Sequence, residues 1–262
     1  MAIKKEENLI KENKEKKEDS FNSVQEVKKS KIKQERIPTG IKGLNALIEG
    51  GFERNSINTI VGNAGGGKTI FSMQILMAAL KRGENCLFIS FEEKKDTFFK
   101  NMEKFGWDLN IYEKKGKFFF LEYNPQKLRS MIEEGGGEIE GIVLKNKIQN
   151  IVIDSITSFE LLFEDKYQKR EAALSLFDLI RKWNCTIFLT LEEDPKERDE
   201  TSPLEFESDG VILIYLIRKN SSRGRYIEIF KMRGTKHSTK VHRMELTQNG
   251  FEITNEVLKK LD

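Results

Sequence analysis

The chain is short of the residues that build disulfide frameworks and metal centres. Its 262 residues include two cysteines, Cys86 and Cys185, and two histidines, His237 and His242. Each cysteine lies in a strand-like apolar run, so we interpret both as small buried side chains in a reducing compartment. Neither histidine has the HxxxH or CxxC companions typical of a metal site. The sequence therefore argues against a disulfide-stapled or zinc-dependent fold.

Long apolar runs and a strong net charge are also missing. No stretch approaches the length that a bilayer-spanning helix needs, and no signal peptide is recognisable, so we expect a cytoplasmic protein without a membrane partner. The 45 basic and 42 acidic residues give a net charge of only +3. That value is too small to predict a nucleic-acid or membrane partner from charge alone.

The first 35 residues are poor in large apolar groups. Residues 1–36 hold eleven lysines and arginines and eight acidic residues, but no glycine or proline and a single aromatic residue, Phe21. Such a segment cannot bury enough apolar surface to offset its ordering entropy. We predict a charged, mobile tail over residues 1–35 and one domain over residues 36–262. A frayed charged helix or an interaction arm is the alternative for the tail.

From Arg36 onward, strand and helix patterns alternate, and after Leu191 the chain reads as strands joined by turns. Alternation of this kind predicts an α/β fold, with a mostly parallel sheet covered by helices on both faces and an antiparallel C-terminal edge. Predicted strands are 56–61, 86–91, 117–122, 151–154, 186–191, 210–218, 224–233 and 242–246. Predicted helices are 69–81, 94–105, 126–133, 142–147 and 169–182, and the glycine-rich residues 133–141 are predicted to be flexible.

A glycine-rich loop between the first predicted strand and helix fits the pattern G-x-x-x-x-G-K-[ST]. Its glycines allow successive backbone N–H groups to surround a phosphate chain, while the lysine reaches the β- and γ-phosphates. The hydroxyl of Thr69 would contact Mg²⁺, and the following helix N-terminus attracts anions. We therefore predict an ATP-binding set consisting of Gly62, Asn63, Ala64, Gly65, Gly66, Gly67, Lys68, Thr69 and Ile70.

Carboxylates follow two of the predicted strands, where a P-loop enzyme needs them. Asp154 ends the run Ile151-Val152-Ile153 and is the predicted Mg²⁺ ligand beside Thr69. Glu92 and Glu93 end the second strand, where a carboxylate could orient and deprotonate the attacking water. Adjacent residues of an extended chain point in opposite directions, so the two glutamates differ in role. We predict that Glu92 is the general base and that Glu93 supports it or faces a subunit boundary.

Six further motifs occur in an order that resembles the KaiC family of RecA-superfamily ATPases. The resemblance covers about residues 36–262. It implies a RecA-like P-loop core, ATP bound between neighbouring subunits and a hexameric ring. The motifs are RIPTGIKGLNALIEGGF (36–52), SFEE (90–93), FGWDL (105–109), IDSITS (153–158), FESDGVILI (206–214) and KMRGTKH (231–237).

The resemblance also assigns roles to KMRGTKH. Lys231 and Arg233 would reach the γ-phosphate of the neighbouring subunit as fingers acting in trans, while Met232, Thr235 and His237 would lie near its base and ribose. Members that autophosphorylate carry adjacent serine and threonine residues. The corresponding positions here hold Glu205 and Phe206, so the chain resembles the hydrolysing type of domain.

We predict a slow, ring-forming ATPase whose nucleotide state controls the binding of an unidentified protein partner. Two alternatives stay open. A nucleic-acid motor or recombinase would need basic loops along a channel, and residues 192–203 and 219–225 are the candidates, although the first is acidic. A nucleotide-sensing scaffold would bind ATP and hydrolyse very little of it.

Overall fold

The computed structural model describes residues 35–197, 201–219 and 221–259. All of the predicted tail except Glu35 lies outside this range. Eleven strands occur in the described part, nine of them in one sheet of order β11-β10-β9-β8-β3-β7-β6-β4-β5. The strands are β1 Arg36–Ile37, β2 Phe52–Glu53, β3 Ile57–Gly62, β4 Cys86–Ser90, β5 Phe118–Glu122, β6 Asn150–Asp154, β7 Thr186–Glu192, β8 Gly210–Lys219, β9 Ser222–Met232, β10 His242–Thr247 and β11 Gly250–Val257.

Helices cover both faces of the sheet, as predicted. The first four pack with one apolar cluster and the others with a second cluster on the opposite face. The helices are α1 Leu44–Leu47, α2 Lys68–Lys81, α3 Lys95–Glu103, α4 Leu109–Lys114, α5 Pro125–Glu134, α6 Gly137–Lys145, α7 Thr157–Glu160, α8 Lys166–Arg181 and α9 Pro203–Glu207. No helix among the described residues combines the length and apolar character needed to cross a bilayer.

The central strands are buried on both faces, which explains their continuous apolar sequences. Every residue of β3 is buried, and both Ile60 and Val61 are fully inaccessible to solvent. Such strands occur where a parallel sheet lies between two layers of helices. Strands β3 to β8 pair in parallel, whereas β8, β9, β10 and β11 pair antiparallel. The predicted mostly parallel sheet with an antiparallel C-terminal edge is therefore confirmed.

The sheet register fixes which residues share an edge. Gly62 at the end of β3 pairs with Glu192 of β7 and with Ile214 of β8. Ser90 at the end of β4 pairs with Asp154 of β6. The carboxyl ends of four parallel strands thus meet at one edge, where ligands bind in open α/β sheets.

One sequence prediction about secondary structure was wrong, and several elements were missed, namely α4, β11 and the short elements α1, α7, α9, β1 and β2. Residues 137–141 form the first part of α6, although flexibility was predicted, because buried Ile139 and Val143 anchor that turn to the core. Helix α4 was missed; its N-cap Asp108 accepts a hydrogen bond from the backbone N–H of Asn110. Strand β11 was also missed, although its alternating Phe251 and Ile253 are buried.

Candidate active site

The phosphate loop connects the end of β3 to the start of α2. Gly65 and Gly67 have φ angles of 75° and 100°, in the left-handed region that favours glycine. A Cβ at Gly67 would lie 2.5 Å from the ring of Phe251, which projects from β11. The loop backbone and the antiparallel edge therefore fit together without space for a side chain at this position.

Lys68 folds back over the phosphate loop. Its Nζ donates hydrogen bonds to the carbonyl oxygens of Gly62 at 2.8 Å and Asn63 at 3.1 Å, and Glu192 Oε2 lies 3.8 Å away. Burial lowers the pKa of Lys68, while Glu192, Asp154 and Glu92 act against this shift. The ammonium group is thus largely desolvated and surrounded by oxygen atoms, in a position that a phosphate chain could share.

Thr69 and Asp154 lie side by side at the carboxyl edge of the sheet. Thr69 Oγ1 donates to Asp154 Oδ2 at 2.6 Å, and the hydroxyl of Thr190 donates to the other carboxylate oxygen. Burial raises the pKa of Asp154, against the opposing effects of these hydroxyls and Lys68. A hydroxyl and a carboxylate beside a phosphate loop form the oxygen donor set that Mg²⁺ takes together with substrate phosphates. These residues therefore fit a magnesium ion.

Glu92 and Glu93, for which different roles were predicted, have different environments. Glu93 is half-buried; its backbone N–H donates to Ser90 Oγ at 2.9 Å, and its carboxylate accepts a hydrogen bond from Asn101 Nδ2 at 3.3 Å. Glu92 is exposed in the cleft and has no hydrogen bond or ion pair with another residue that the structure describes. Of the two carboxylates, that of Glu92 is the one available to a water molecule.

These groups line one cleft of about 510 Å³. The carboxyl ends of β4, β6 and β7 lie at one side of it and the phosphate loop at another. Several lining residues were not assigned to the nucleotide site from the sequence, because they come from α3 and the turn after it, from strand ends and from β9, far from the glycine loop in the chain. They are Asn101, Met102, Lys104, Phe105, Ser155, Glu192 and Arg225.

The remaining members of the predicted nucleotide set also surround this cleft or support the loop. Ala64 and Ile70 line it. Asn63 Nδ2 donates to Asp194 at 2.6 Å, and the N–H of Gly66 donates to the carbonyl of Asn63 at 3.1 Å. The loop therefore retains turn hydrogen bonds of its own, and Arg225 adds one to the carbonyl of Gly65 at 3.2 Å.

Lys231 and Arg233 lie elsewhere, at the opposite edge of the sheet, where the parallel strands begin. Met232 pairs with Gly210, which pairs with Asn58 at the start of β3, four residues before Gly62. At about 3.3 Å per strand residue, this rung is about 13 Å from the rung of the phosphate loop. The structure does not bring the two predicted fingers together with the phosphate loop of the same subunit.

Both cations are held by α9 and the residues directly after it. Lys231 Nζ donates to the carbonyl oxygens of Glu205 at 3.1 Å and Phe206 at 2.7 Å. Arg233 Nη2 donates to the same Phe206 carbonyl at 3.1 Å, and its Nη1 lies 3.6 Å from Asp209. Lys231 lies near the end of β9 and Arg233 directly after it, and Arg233 remains half exposed.

The other residues of this motif have distinct positions. Met232 is buried in the first of the two apolar clusters. Thr235 accepts a hydrogen bond from Arg36 at 2.9 Å, and the ring of His237 lies within 3.1 Å of the carbonyl of Ser238. Met232 therefore contributes to packing within its own subunit, while Thr235 and His237 are only partly covered.

Comparison with known proteins gives consistent matches over most of the chain. The family model described as "ATPase: KaiC" matches residues 37–257. The Circadian clock protein KaiC3 of Synechocystis is 34% identical over 212 residues, which are 78% of this chain and 42% of that protein. The chain thus spans less than half the length of this relative.

Two shorter proteins match along nearly their whole length. A UPF0273 protein of Thermotoga maritima is 30% identical over 232 residues, covering 83% of this chain and 95% of that protein. The crystal structure of a KaiC-like protein from Pyrococcus horikoshii superposes with a TM-score of 0.74 at 33% identity. That superposition covers 84% of this chain and 99% of the other.

Proposed function

The chain belongs to the KaiC ATPase family, and we propose that it binds and slowly hydrolyses ATP between the subunits of a homohexameric ring. In this proposal the phosphate loop of one subunit holds the nucleotide, and Lys231 and Arg233 of the next subunit complete the site. The ring would act as a nucleotide-dependent regulatory assembly for an unidentified protein partner.

The observation that carries the proposal is the separation of two half-sites. A complete set of groups for holding a triphosphate lies at one edge of the sheet, namely Lys68, Thr69 and Asp154 with the glycine loop. Lys231 and Arg233 lie together near a rung of the sheet about 13 Å from the rung of the phosphate loop, and neither lines the cleft. A head-to-tail contact between subunits would bring the cations of one to the cleft of the next, and repetition of this contact closes a ring.

The chemistry follows from the positions of the cleft residues. Water would attack the γ-phosphorus as the bond to the β-phosphate oxygen breaks, and Glu92 would accept the proton that the water loses. Lys68 would neutralise negative charge on the β- and γ-phosphates. Arg233 of the neighbouring subunit would stabilise the charge that develops on the transferred group and the leaving oxygen.

Thr69 and Asp154 would hold Mg²⁺, which, when bound, neutralises charge on the phosphate oxygens. For Asp154 this requires the ionised carboxylate, which the protein alone disfavours by burial. Thr190 keeps the carboxylate oriented through its hydroxyl. We therefore expect nucleotide and magnesium to bind together more tightly than either binds alone.

The basic hairpin that suggested a nucleic-acid motor faces acidic groups. Arg218 and Arg223 line a depression together with Glu192, Glu193 and Asp194. Their charges are balanced locally, so this hairpin lacks the uniformly positive surface that single-strand binding needs. The observation favours a role at the nucleotide cleft over one in a nucleic-acid channel.

Native mass measurement in ATP and in ADP, combined with a phosphate-release assay, tests the proposal. We expect a closed ring that forms or gains stability with nucleotide and that releases phosphate slowly. A chain that remains monomeric with either nucleotide contradicts the proposal. A ring that releases phosphate no faster than ATP decays in buffer contradicts the enzymatic part and supports a nucleotide sensor.

A further inference from the structure

The side chain of Arg36 contacts several points of the segment that opens the domain, and it makes one further contact outside that segment. Nη1 donates to the carbonyl oxygens of Gly51 at 3.0 Å and Ile48 at 3.4 Å. Nη2 lies 3.3 Å from Glu53 and 3.5 Å from Glu49. Only 19% of the side chain is exposed. The guanidinium group is thus fixed by carbonyl and carboxylate oxygens on several sides.

The contact that leaves this segment reaches the KMRGTKH motif, 199 residues later in the chain. Arg36 Nη2 donates to Thr235 Oγ1 at 2.9 Å. The same hydroxyl donates its proton to the carbonyl oxygen of Arg233 at 3.3 Å. A continuous chain of hydrogen bonds therefore connects Arg36, through one threonine hydroxyl, to the backbone of Arg233.

Two neighbouring contacts hold the same segment against the start of the domain. The N–H of Ser238 donates to the carbonyl of Leu47 at 2.9 Å. Gly234 adopts a φ of 66°, and a Cβ there would lie 3.4 Å from Glu53 Oε1. The turn after Arg233 therefore packs closely on residues 47–53, which Arg36 itself ties together.

We propose that Arg36 is a positioning residue for ATP hydrolysis, which fixes the backbone of Arg233 through the hydroxyl of Thr235. This inference rests on the proposed trans role of Arg233. It also gives Thr235 a function within its own subunit, beyond the contact with a neighbour's nucleotide that the family resemblance implies.

The physical requirement is geometric accuracy. Arg233 is half exposed, and its side-chain contacts are to one carbonyl and one carboxylate at 3.1 and 3.6 Å. A displacement of about 1 Å in a group that contacts the transition state can cost about a hundredfold in rate. Lysine cannot replace the planar fork that serves several acceptors at once. Arg36→Lys therefore keeps the charge but loses part of the support for Thr235.

Steady-state turnover and ATP affinity of the assembled protein test this inference, with Arg36→Lys, Thr235→Val and the double variant. We expect each single variant to lower kcat about ten- to a hundredfold, while the affinity for ATP and the ring mass stay unchanged. The double variant should lose no more than the more damaged single variant, because both changes break one chain of hydrogen bonds.

Arg82→Ala serves as the matched control. Arg82 also supports the opening segment, by donating to the carbonyl of Pro38 at 3.0 Å and pairing with Glu84 at 3.2 Å, but it does not contact the KMRGTKH motif. Its kcat should equal that of the unaltered protein. A loss in Arg82→Ala as large as that in Arg36→Lys would show that general support of the segment matters, and would overturn the positioning role.

Arg233→Ala, measured alongside, tests the trans role of Arg233 separately from the positioning role of Arg36. If Arg233→Ala turns over ATP at the normal rate, the proposed trans role itself fails. If Arg233→Ala is inactive while Arg36→Lys is fully active, the trans role stands and the positioning role of Arg36 is refuted. Losses that multiply in the double variant, or that follow dissociation of the ring, would also overturn it.

Discussion

The predicted functional residues lie at two edges of the large sheet, formed by the carboxyl ends and the amino ends of the parallel strands. Their surroundings differ between these two edges. At the carboxyl edge of the parallel strands, Lys68, Thr69 and Asp154 are buried or half-buried. Lys68 donates to the carbonyl oxygen of Gly62, and Thr69 donates to Asp154. At the opposite edge, Lys231 and Arg233 contact carbonyl oxygens and remain partly exposed. The first set of groups fits a phosphate chain with magnesium, whereas the second consists of two cations held mainly by backbone carbonyl oxygens.

This difference suggests how catalysis can depend on assembly. In the proposed arrangement, a cleft without the two cations would bind a nucleotide but would lack charge where the transition state needs it. Lys231 lies on the antiparallel strand β9, which extends the sheet beyond β8, and Arg233 follows directly after this strand. The parallel part of the domain would therefore supply binding, and the antiparallel part would supply the contribution to the neighbouring subunit.

The largest expected effect is on turnover when the exposed edge is changed. Arg233→Ala should reduce ATP hydrolysis by roughly 10³–10⁵-fold, because such fingers contribute that much where they occur. Nucleotide binding measured by fluorescence titration should be nearly unchanged. Arg243→Ala is the control, since Arg243 lies on the neighbouring strand β10 and, within the part of the chain that the structure describes, forms ion pairs with Glu245 and Glu256. Equal losses of ATP turnover in both variants would show that the effect is not specific to Arg233.

Within the cleft, the two adjacent glutamates should differ. Glu92→Gln should lower turnover by about 10²–10⁴-fold, because a general base contributes that much. Glu93→Gln should cost less, since the Glu93 carboxylate is already engaged by Asn101. Single-turnover phosphate release compares the two variants. A larger loss in Glu93→Gln would indicate that Glu93, and not Glu92, is the general base.

Binding at the parallel edge should depend on Lys68. Lys68→Ala should weaken ATP affinity by roughly 10²–10³-fold, the equivalent of losing one or two charge-assisted hydrogen bonds. Isothermal titration with ATP measures it. Lys81→Ala, at the other end of the same helix, controls for loss of a positive charge from α2. Unaltered affinity in Lys68→Ala would mean that nucleotide does not occupy this loop.

The smallest expected effect tests whether strand β11 supports the phosphate loop. Gly67→Ala should destabilise the fold by about 1–3 kcal/mol, because the new Cβ meets the ring of Phe251 and the φ is left-handed. Gly83→Ala has a similar φ of 84° but open space around the Cβ, so it should cost only about 1 kcal/mol. Denaturant melts give both values. Equal losses would show that contact with Phe251 contributes nothing.

Much of the parallel region could be predicted from the sequence, because its elements have strong local signals. Strand β3 is a β-branched run, the glycine loop follows it, and Asp154 ends a buried apolar strand. Each feature depends on residues close together in the chain. Strand β11 also had a local signal, an Asn249-Gly250 turn followed by alternating apolar residues, so its omission was avoidable.

The cleft's other lining residues and the support of Arg233 could not be predicted in this way. Asn101 donates to Glu93 from within α3, and Arg225 donates to Gly65, which is 160 residues away in the chain. Arg36 reaches Thr235 across almost the whole domain. A single polar residue has no periodic pattern from which such a contact could be predicted. Only the folded sheet brings the two partners of each contact together. The trans role of Lys231 and Arg233 came from family resemblance and remains a proposal.

Mixing two inactive variants tests the shared site most directly. Lys68→Ala subunits would lack nucleotide binding but retain Arg233, and Arg233→Ala subunits would have the reverse defect. If ATP is bound by one subunit and completed by the next, co-expressed and co-purified mixed rings should regain about a quarter of normal turnover, since random order creates intact junctions at that frequency. Mixed rings that remain as inactive as either parent would contradict the account.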